Sequence, residues 1–519
     1  MWQDRLLFDR GGERGLARGV SIFVTSVFLA LIGYVIIRYK YFTYIIREQV
    51  TTTPMFGWFL LAYVLFAVLS VVVILRLNRR GFRSPWLWGA AIFLIALSLR
   101  FFAFANIAYI PTSDFQNYYG IGLAFLRGDY AVIAGTSTGY HISSFSGLAV
   151  LNGLTMLAFG SDIRAFQFAQ CVFASLSCVV TYLIARRLDE ESAPAAGLLF
   201  ALYPANIVFS QVTSNQHLAV LFALLSIWVA TVVFTQEKPV KSAILALVSG
   251  ALLLLSYYAH PSAATTLIAI GIVWLVRLFA SLKNRKELFR LALIAAAFCI
   301  GYFGLRAGAE AGMQAAGLSE ATGENSSYLA KVVIGLNPET VGGYSESDWG
   351  MIWSYPASEQ NAFCLKVIRE RLDRPDLFGF FDAKLLRMWM VPDGSFGWAT
   401  FGGNNTQKTL TGVSDTVLGD WLAGAKLLDF FLVAALFLFS WIGVLLRKRG
   451  TVGDLLLWVF LGWIGVHFFI EIQTRYRYYG MPFLMIFAAY GVFHLLESAR
   501  GALSRQHRKK PQSVTLTTK

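Results

Sequence analysis

Apolar residues run along this chain in long unbroken stretches, separated by short polar turns, and they do not alternate with polar ones. About 20 helical residues at 1.5 Å each cross the hydrocarbon of a bilayer, so stretches of about 18 or more are candidate spans. Such stretches lie at roughly 20–38, 56–76, 86–110, 164–186, 193–213, 217–235, 242–259, 262–280, 288–308, 424–446, 453–472 and 478–497. Helix is the element they predict. Lipid offers no partner for unpaired backbone groups, and no segment carries the period of a barrel strand. The expected fold class is an all-α polytopic membrane protein with about 12 transmembrane helices.

Two polar interruptions are long. The first runs from about Pro111 to Asp162 and opens with Pro111, which ends the preceding span. Ser113 is placed to cap a short amphipathic helix reaching about Arg127, which would lie along the interface with Tyr118 and Tyr119 at headgroup level. The second, from about Ala309 to Trp421, is rich in Gly, Ser and Asn and predicts helices near Ala357–Leu372 and from Pro375 to Trp389. Its sequons at Asn325 and Asn404 matter only in a host that glycosylates.

The chain therefore divides into additional N-terminal spans (1–85), a core (86–308) with a juxtamembrane loop (111–163), an outer-face loop domain (309–423), C-terminal spans (424–497) and a basic tail (498–519). Loops as long as the two outer ones are uncommon without a function.

Composition agrees with a bilayer as solvent: 56% of residues are hydrophobic and 14% charged, against about 25% charged in a soluble domain. The net charge of +14 needs no nucleic acid, because Lys and Arg gather in cytoplasmic loops. Starting the chain inside puts Arg76 to Arg83, Arg186 and Arg187, Lys238 and Lys241, Arg277 to Arg290, Arg447 to Arg449 and the tail on the cytoplasmic side. Both termini are then cytoplasmic, and the two long interruptions face outward. The run Val20–Ile37 is too long for a signal-peptide core and reads as the first span. Cys171, Cys178 and Cys299 lie in apolar runs, leaving Cys364 alone, so no disulfide framework is expected.

Candidate chemistry sits at the outer ends of the helices. Asp114 falls on the first turn of the interfacial helix, where a carboxylate either complements the helix dipole or, partly desolvated, accepts a proton from a hydroxyl. His467, Glu471 and Arg475 are spaced to share one helix face, either as a Glu471–Arg475 pair or as a cradle for an anion. Arg477 lies at the same mouth, and arginine forks suit phosphate. Arg100 inside the third span requires a partner. Lys384 and Arg387 either reach donor phosphate or form a solvated face.

His141 and His260 lack ligand-spaced partners, so no zinc site is expected. Asp114 with Asp129 offers a divalent cation two carboxylates, fewer oxygens than a hard ion wants. The loop from Gly335 to Tyr344, followed by Asp348 and Trp349, has aromatic rings suited to stacking on a sugar and no nucleotide-binding pattern.

Taken together, Pro111-Thr-Ser-Asp114, then Gly128-Asp129-Tyr130, Tyr140-His141-Ile-Ser-Ser-Phe145 and Leu157-Ala-Phe-Gly160 resemble the GT-C superfamily of membrane glycosyltransferases. The branch they resemble contains the protein O-mannosyltransferases and the lipid A aminoarabinose transferase. Leu202-Tyr-Pro-Ala-Asn-Ile-Val-Phe-Ser210 and Arg475-Tyr-Arg477-Tyr-Tyr-Gly-Met-Pro482 resemble later elements of that branch, and the likeness covers roughly 86–310 and 424–497. It departs where Ser143-Ser144 replaces a double proline and where Ser214-Asn215-Gln216 replaces an acidic residue.

The resemblance implies transfer of a sugar from a polyprenyl-phosphate donor to a glycan, lipid or protein acceptor at the outer face, with inversion. Asp114 would be the base and Arg475, Arg477 and Lys384 would lie near the donor phosphate, with His467, Glu471, Tyr118, Asp129 and His141 in support. The rival reading is a transporter or flippase of a lipid-linked sugar, against which the chain has no repeated halves and no paired broken helices.

Overall fold

A computed structural model describes residues 14–81, 84–140, 144–319, 327–400, 412–447 and 449–509. Every regular element among them is helical. Helices α1 (Arg14–Thr52) and α2 (Pro54–Arg79) precede α3 (Pro85–Asn106), which starts on a proline after the Ser84 hydroxyl caps its first turn. Three shorter helices follow: α4 (Asp114–Arg127), α5 (Tyr130–Tyr140) and α6 (Ser144–Phe159). Next come α7 (Ile163–Leu188), α8 (Ala193–Ala201), α9 (Pro204–Phe209), α10 (Gln216–Thr235), α11 (Pro239–Ala259) and α12 (Ala263–Ala280).

A π-turn at Ile300–Gly304 joins α13 (Arg285–Cys299) to α14 (Leu305–Ala315). The segment beyond carries α15 (Ser327–Gly335), α16 (Glu346–Trp353), α17 (Ala357–Leu372), α18 (Leu377–Trp389) and α19 (Ser395–Thr400). The last elements are α20 (Asp415–Leu446), α21 (Thr451–Phe469), a 3₁₀ turn at Thr474–Tyr476 and α22 (Arg477–Lys509).

Among the described residues, 11 helical segments are long and apolar enough to cross a membrane. The span expected at 193–213 is the exception. It breaks at Leu202–Tyr203, because Pro204 has no N–H to continue α8 and its ring forces Tyr203 into an extended conformation (φ −69°, ψ 114°). The two pieces still run back along α7. Ser192 bonds Asp189 at the C-terminal end of α7, and the Gln211 carbonyl accepts from Gln167 near its N-terminal end at 2.9 Å.

A helix break in an apolar interior frees backbone carbonyls, and Arg100 meets this one. Fully buried on α3, it donates to Ala201 at 3.3 Å and to Ala96 at 3.1 Å, and reaches the Cys178 thiol at 3.5 Å. Among the described residues no carboxylate pairs with it, so peptide dipoles are what its charge meets in the interior.

One core joins α1, α3, α7 to α9 and α20 to α22; a second joins α4 to α6 with α11. Helices α15 to α17 have their own small core around Val333, Ile352 and Cys364. A clamp closes it, in which buried Asp348 accepts from both terminal nitrogens of Arg371 at 2.8 Å and from Asn337 at 2.8 Å. Burial alone would raise the Asp348 carboxyl; these donors hold it below the ordinary carboxylate range. The sequon residues Asn325 and Asn404 lie outside the described residues.

Candidate functional site

The end of the bundle that carries α4 brings together two strips of chain more than 300 residues apart. On the first strip, Asp114 is the first residue of α4 and half-buried. The preceding Ser113 does not cap the helix with its hydroxyl as expected. Its φ is +54°, a region that disfavours residues with a Cβ, and its carbonyl takes the first-turn N–H of Gln116 instead. The Asp114 carboxylate makes no hydrogen bond or ion pair among the described residues, and its charge acts on Lys331, Tyr344 and Tyr476. The next residue, Phe115, is buried and turned inward, and its carbonyl is held by Thr213 at 3.2 Å.

On the second strip, the sequence reading of one helical face through His467, Glu471 and Arg475 does not hold. Helix α21 stops at Phe469, and the chain runs extended until the 3₁₀ turn. Glu471 therefore pairs with Lys331 of α15 at 2.5 Å, not with Arg475. Burial alone would raise the Glu471 carboxyl and lower the Lys331 ammonium. Their mutual attraction outweighs it and shifts each toward its charged form.

Gln473 bridges this pair to Arg475, donating to Glu471 at 2.8 Å and accepting from the Arg475 Nε at 2.7 Å. The Arg475 guanidinium carbon lies 4.7 Å from the Phe115 ring, 5.2 Å from Trp398 and 5.4 Å from Tyr476. Its two terminal nitrogens have no protein acceptor among the described residues. Arg475 thus packs on the residue that follows Asp114 in the chain, and the two charges form no ion pair among the described residues.

The extended strap holds its shape because α15 and α18 grip it. Glu471 N–H donates to the Lys331 carbonyl at 3.0 Å and Ile472 N–H to Gly342 at 2.8 Å. Gly335 has to be glycine here: a Cβ would lie 2.1 Å from the Ile470 carbonyl carbon and 2.5 Å from the Glu471 nitrogen. Lys384, buried on α18, donates to the carbonyls of Phe468 at 3.0 Å, Ile470 at 2.7 Å and Gly335, so its ammonium ties the end of α21 to the end of α15. Burial pushes this ammonium down to about 7, against the pull of Glu471.

Arg477 is equally committed. It is fully buried, sits 3.4 Å from Asp393 and 3.7 Å from Asp429, and donates to the Val391 carbonyl at 3.0 Å. Lys384 and Arg477, both expected at the donor phosphate, are instead consumed inside the protein, and their work is to hold the strip that carries Arg475.

Behind Arg475 lies a small cavity lined by Gln216, His260, Trp463, His467, Tyr476 and Tyr479, among others. His467 bonds the Trp463 carbonyl through Nδ1 at 2.7 Å, and its ring centroid is 5.9 Å from that of Tyr476. Burial, and then the Arg475 charge, push the His260 imidazole down, which keeps it neutral at physiological pH.

Of the other expected site residues, Tyr118 packs on Phe115 and Phe145, with ring centroids 6.1 and 5.9 Å away. His141 lies outside the described residues. Asp129 follows the far end of α4. Its 14 residues at 1.5 Å each separate it from Asp114 by roughly 20 Å, so the two cannot share a cation. Among the described residues no three His, Cys, Asp or Glu gather as metal ligands. The sequence reading did not single out Lys331 or Gln473, named Gln216 only where it stands in place of an acidic residue, and set aside His260 as a lone histidine.

These features define a polytopic, all-helical membrane protein with a charged mouth at one end of its bundle. The chain belongs to the family described as conserved hypothetical integral membrane protein, which matches residues 161–494. No curated protein matches it. Two solved structures from Archaeoglobus fulgidus are similar to it, each at 14% identity. One is the archaeal oligosaccharyltransferase AglB in complex with an inhibitory peptide and a dolichol-phosphate, with a TM-score of 0.43 over 82% of this chain and 52% of that one. The other is the oligosaccharyltransferase tethered by a disulfide bond to an acceptor peptide containing the NVT sequon, with a TM-score of 0.45 over 80% of this chain and 50% of that one. The chain thus spans about half the length of the structures it matches.

Proposed function

We propose that this protein is a GT-C-type glycosyltransferase that moves a sugar from a polyprenyl-phosphate donor to an acceptor at the outer face of the membrane. One observation carries the reading. The Arg475 guanidinium packs on the ring of Phe115, the residue that follows Asp114 in the chain, yet the two charged groups form no ion pair, and Asp114 and the terminal nitrogens of Arg475 have no partner among the described residues. A base and an anion-binding group are what the reaction needs at one place.

In the proposed reaction Asp114 takes the proton of the acceptor hydroxyl, and the acceptor oxygen bonds to the anomeric carbon. The bond from that carbon to the phosphate oxygen breaks on the opposite side, giving inversion. Polyprenyl phosphate leaves with the bonding pair, and the terminal nitrogens of Arg475 meet its charge in a site poor in water. Glu471, Lys331 and Gln473 hold Arg475 in position, and the lipid tail enters between helices. The charge pattern supports an outward mouth. Arg186, Arg277, Arg290 and Arg447 all sit at the opposite end of the bundle, which the excess of basic residues would make cytoplasmic.

The test is transfer by the purified protein from a polyprenyl-phosphate sugar, with donor binding measured separately. Asp114→Asn is expected to cut turnover by about a hundredfold or more at unchanged donor affinity. Arg475→Ala is expected to weaken donor binding. Wild-type turnover in Asp114→Asn removes that residue from the mechanism.

A further inference from the structure

Helix α18 turns one face to the protein, and its first turn runs past the protein that this face covers. Phe378, Phe381 and Asp382 are spaced i, i+3 and i+4, so they share that face. Phe381 packs on Phe468 and Phe469, the last residues of α21, with ring centroids 5.4 and 5.6 Å away. Asp382 accepts from Arg38 of α1 at 2.9 Å and from Tyr34 at 2.5 Å. Phe378 continues the stripe by one turn, beyond both contacts, and is 87% exposed. A lone exposed phenylalanine is ordinary on a protein surface, and here its place in the bundle decides what meets it.

Two spans measure the level of this face, and both start from one contact at the basic end of the bundle. There Ser21 of α1 donates at 3.0 Å to Asp454, in the first turn of α21. At 1.5 Å per residue the rise from Asp454 to Phe469 is roughly 23 Å, and from Ser21 to Tyr34 and Arg38 roughly 20 and 26 Å. The two measures agree. The hydrocarbon of a bilayer is about 30 Å thick, so α18 lies across the bundle close to where acyl chains give way to headgroups. Phe469 and Tyr34, 45% and 41% exposed, look outward from their spans at this same level. We infer that the first turn of α18 is seated in the bilayer leaflet at the mouth end of the bundle, with the Phe378 ring among the acyl chains just beneath the headgroups.

Continuity selects lipid over a protein partner. Through Phe381 the ring adjoins Phe469, and the exposed apolar sides of α1 and α21 carry the same surface on toward the basic end. Asp373 and Asp376, both exposed, come just before the ring in the chain. Charged residues at headgroup level followed by an apolar side chain that dips into the acyl boundary are the mark of an interfacial helix. The contact has a consequence for the mouth. Lys384 of the same helix holds the carbonyls of Phe468 and Ile470, where the strap begins. Seating Phe378 in lipid therefore anchors the helix that sets the depth of the strap and of Arg475 beyond it. None of this depends on the glycosyltransferase reading.

Spin labelling of the full-length protein in nanodiscs of phosphatidylcholine and phosphatidylglycerol tests this, in a Cys299→Ser background because the other three cysteines are buried. A label on Phe378→Cys is expected to collide with oxygen in preference to a water-soluble nickel chelate. A label on Lys366→Cys, at a side chain 75% exposed on α17, is expected to show the reverse. A label at 378 that meets the chelate as freely as the one at 366 overturns the contact. A label shielded from both reagents overturns it in favour of a protein partner. Anchoring is read separately by amide exchange in the same nanodiscs. Phe378→Asp is expected to speed exchange in α18 and in the strap from Ile470 to Gln473 by about tenfold, while Phe378→Leu keeps wild-type protection. Wild-type exchange in Phe378→Asp overturns the anchoring of the strap.

Discussion

One methyl group, added far from the proposed reacting atoms, tests whether the strap sets the position of Arg475. In Gly335→Ala the new Cβ would meet the Ile470 carbonyl carbon at 2.1 Å, the Phe469 oxygen at 2.3 Å and the Glu471 nitrogen at 2.5 Å. All three are backbone atoms, so no side chain can rotate away. Restoring ordinary contact requires the strap to move by about 1 Å or more, and overpacking of this kind costs roughly 1–3 kcal/mol. The same shift carries Glu471 away from Lys331 and disturbs the Gln473 bridge to Arg475, and a misplacement of about 1 Å costs roughly a hundredfold in rate.

Gly350→Ala is the control, since a Cβ there meets nothing within 4 Å and the residue lies inside α16. It should be neutral or stabilise by up to about 1 kcal/mol. Thermal unfolding in detergent and transfer kinetics read both variants. A Gly335→Ala protein that melts and turns over like wild type shows that the strap does not position Arg475.

The Lys384 amine titrates near 7 in the fold, while an unfolded lysine keeps its proton to about 10.5. Between those values the unfolded state binds more protons, so melting temperature should rise as pH goes from 7 toward 10, and Lys384→Met should flatten that rise. Asp348→Asn removes the charge that Arg371 meets and should loosen α15 to α17 by about 3 kcal/mol, read as faster amide exchange confined to those helices. Because donors hold the Asp348 carboxyl low, its contribution is present at neutral pH and should be lost only as pH falls below the ordinary carboxylate range.

The spans were legible because hydrophobic length alone determines them, and composition made a bilayer the only solvent that fits. The broken span was legible too, in Pro204, but the apolar run around it is long enough to mask a break that the structure tolerates through Arg100. The end of α21 was not legible. No proline or glycine marks it, and the helix ends where Lys384 captures the carbonyls of Phe468 and Ile470 from a distant helix. That tertiary contact shifted the register, so the partner of Glu471 became Lys331, 140 residues away, for which no spacing rule exists. Arg477 and Lys384 were singled out as cations near the mouth; what sequence could not reveal was that Asp393, Asp429 and three carbonyls already occupy them.

The central claim is that Asp114 drives consumption of a lipid-linked sugar, and the pool of that lipid in living membranes tests it most directly. Lipid-linked sugars are profiled in membranes from cells carrying the gene, lacking it, and complemented with Asp114→Asn. The account predicts that one polyprenyl-phosphate sugar accumulates both in the deletion and in the Asp114→Asn strain, and returns to its normal level with the wild-type gene. An unchanged pool in all three strains, with lipid intermediates held on the inner leaflet of the deletion, contradicts it and points to a flippase.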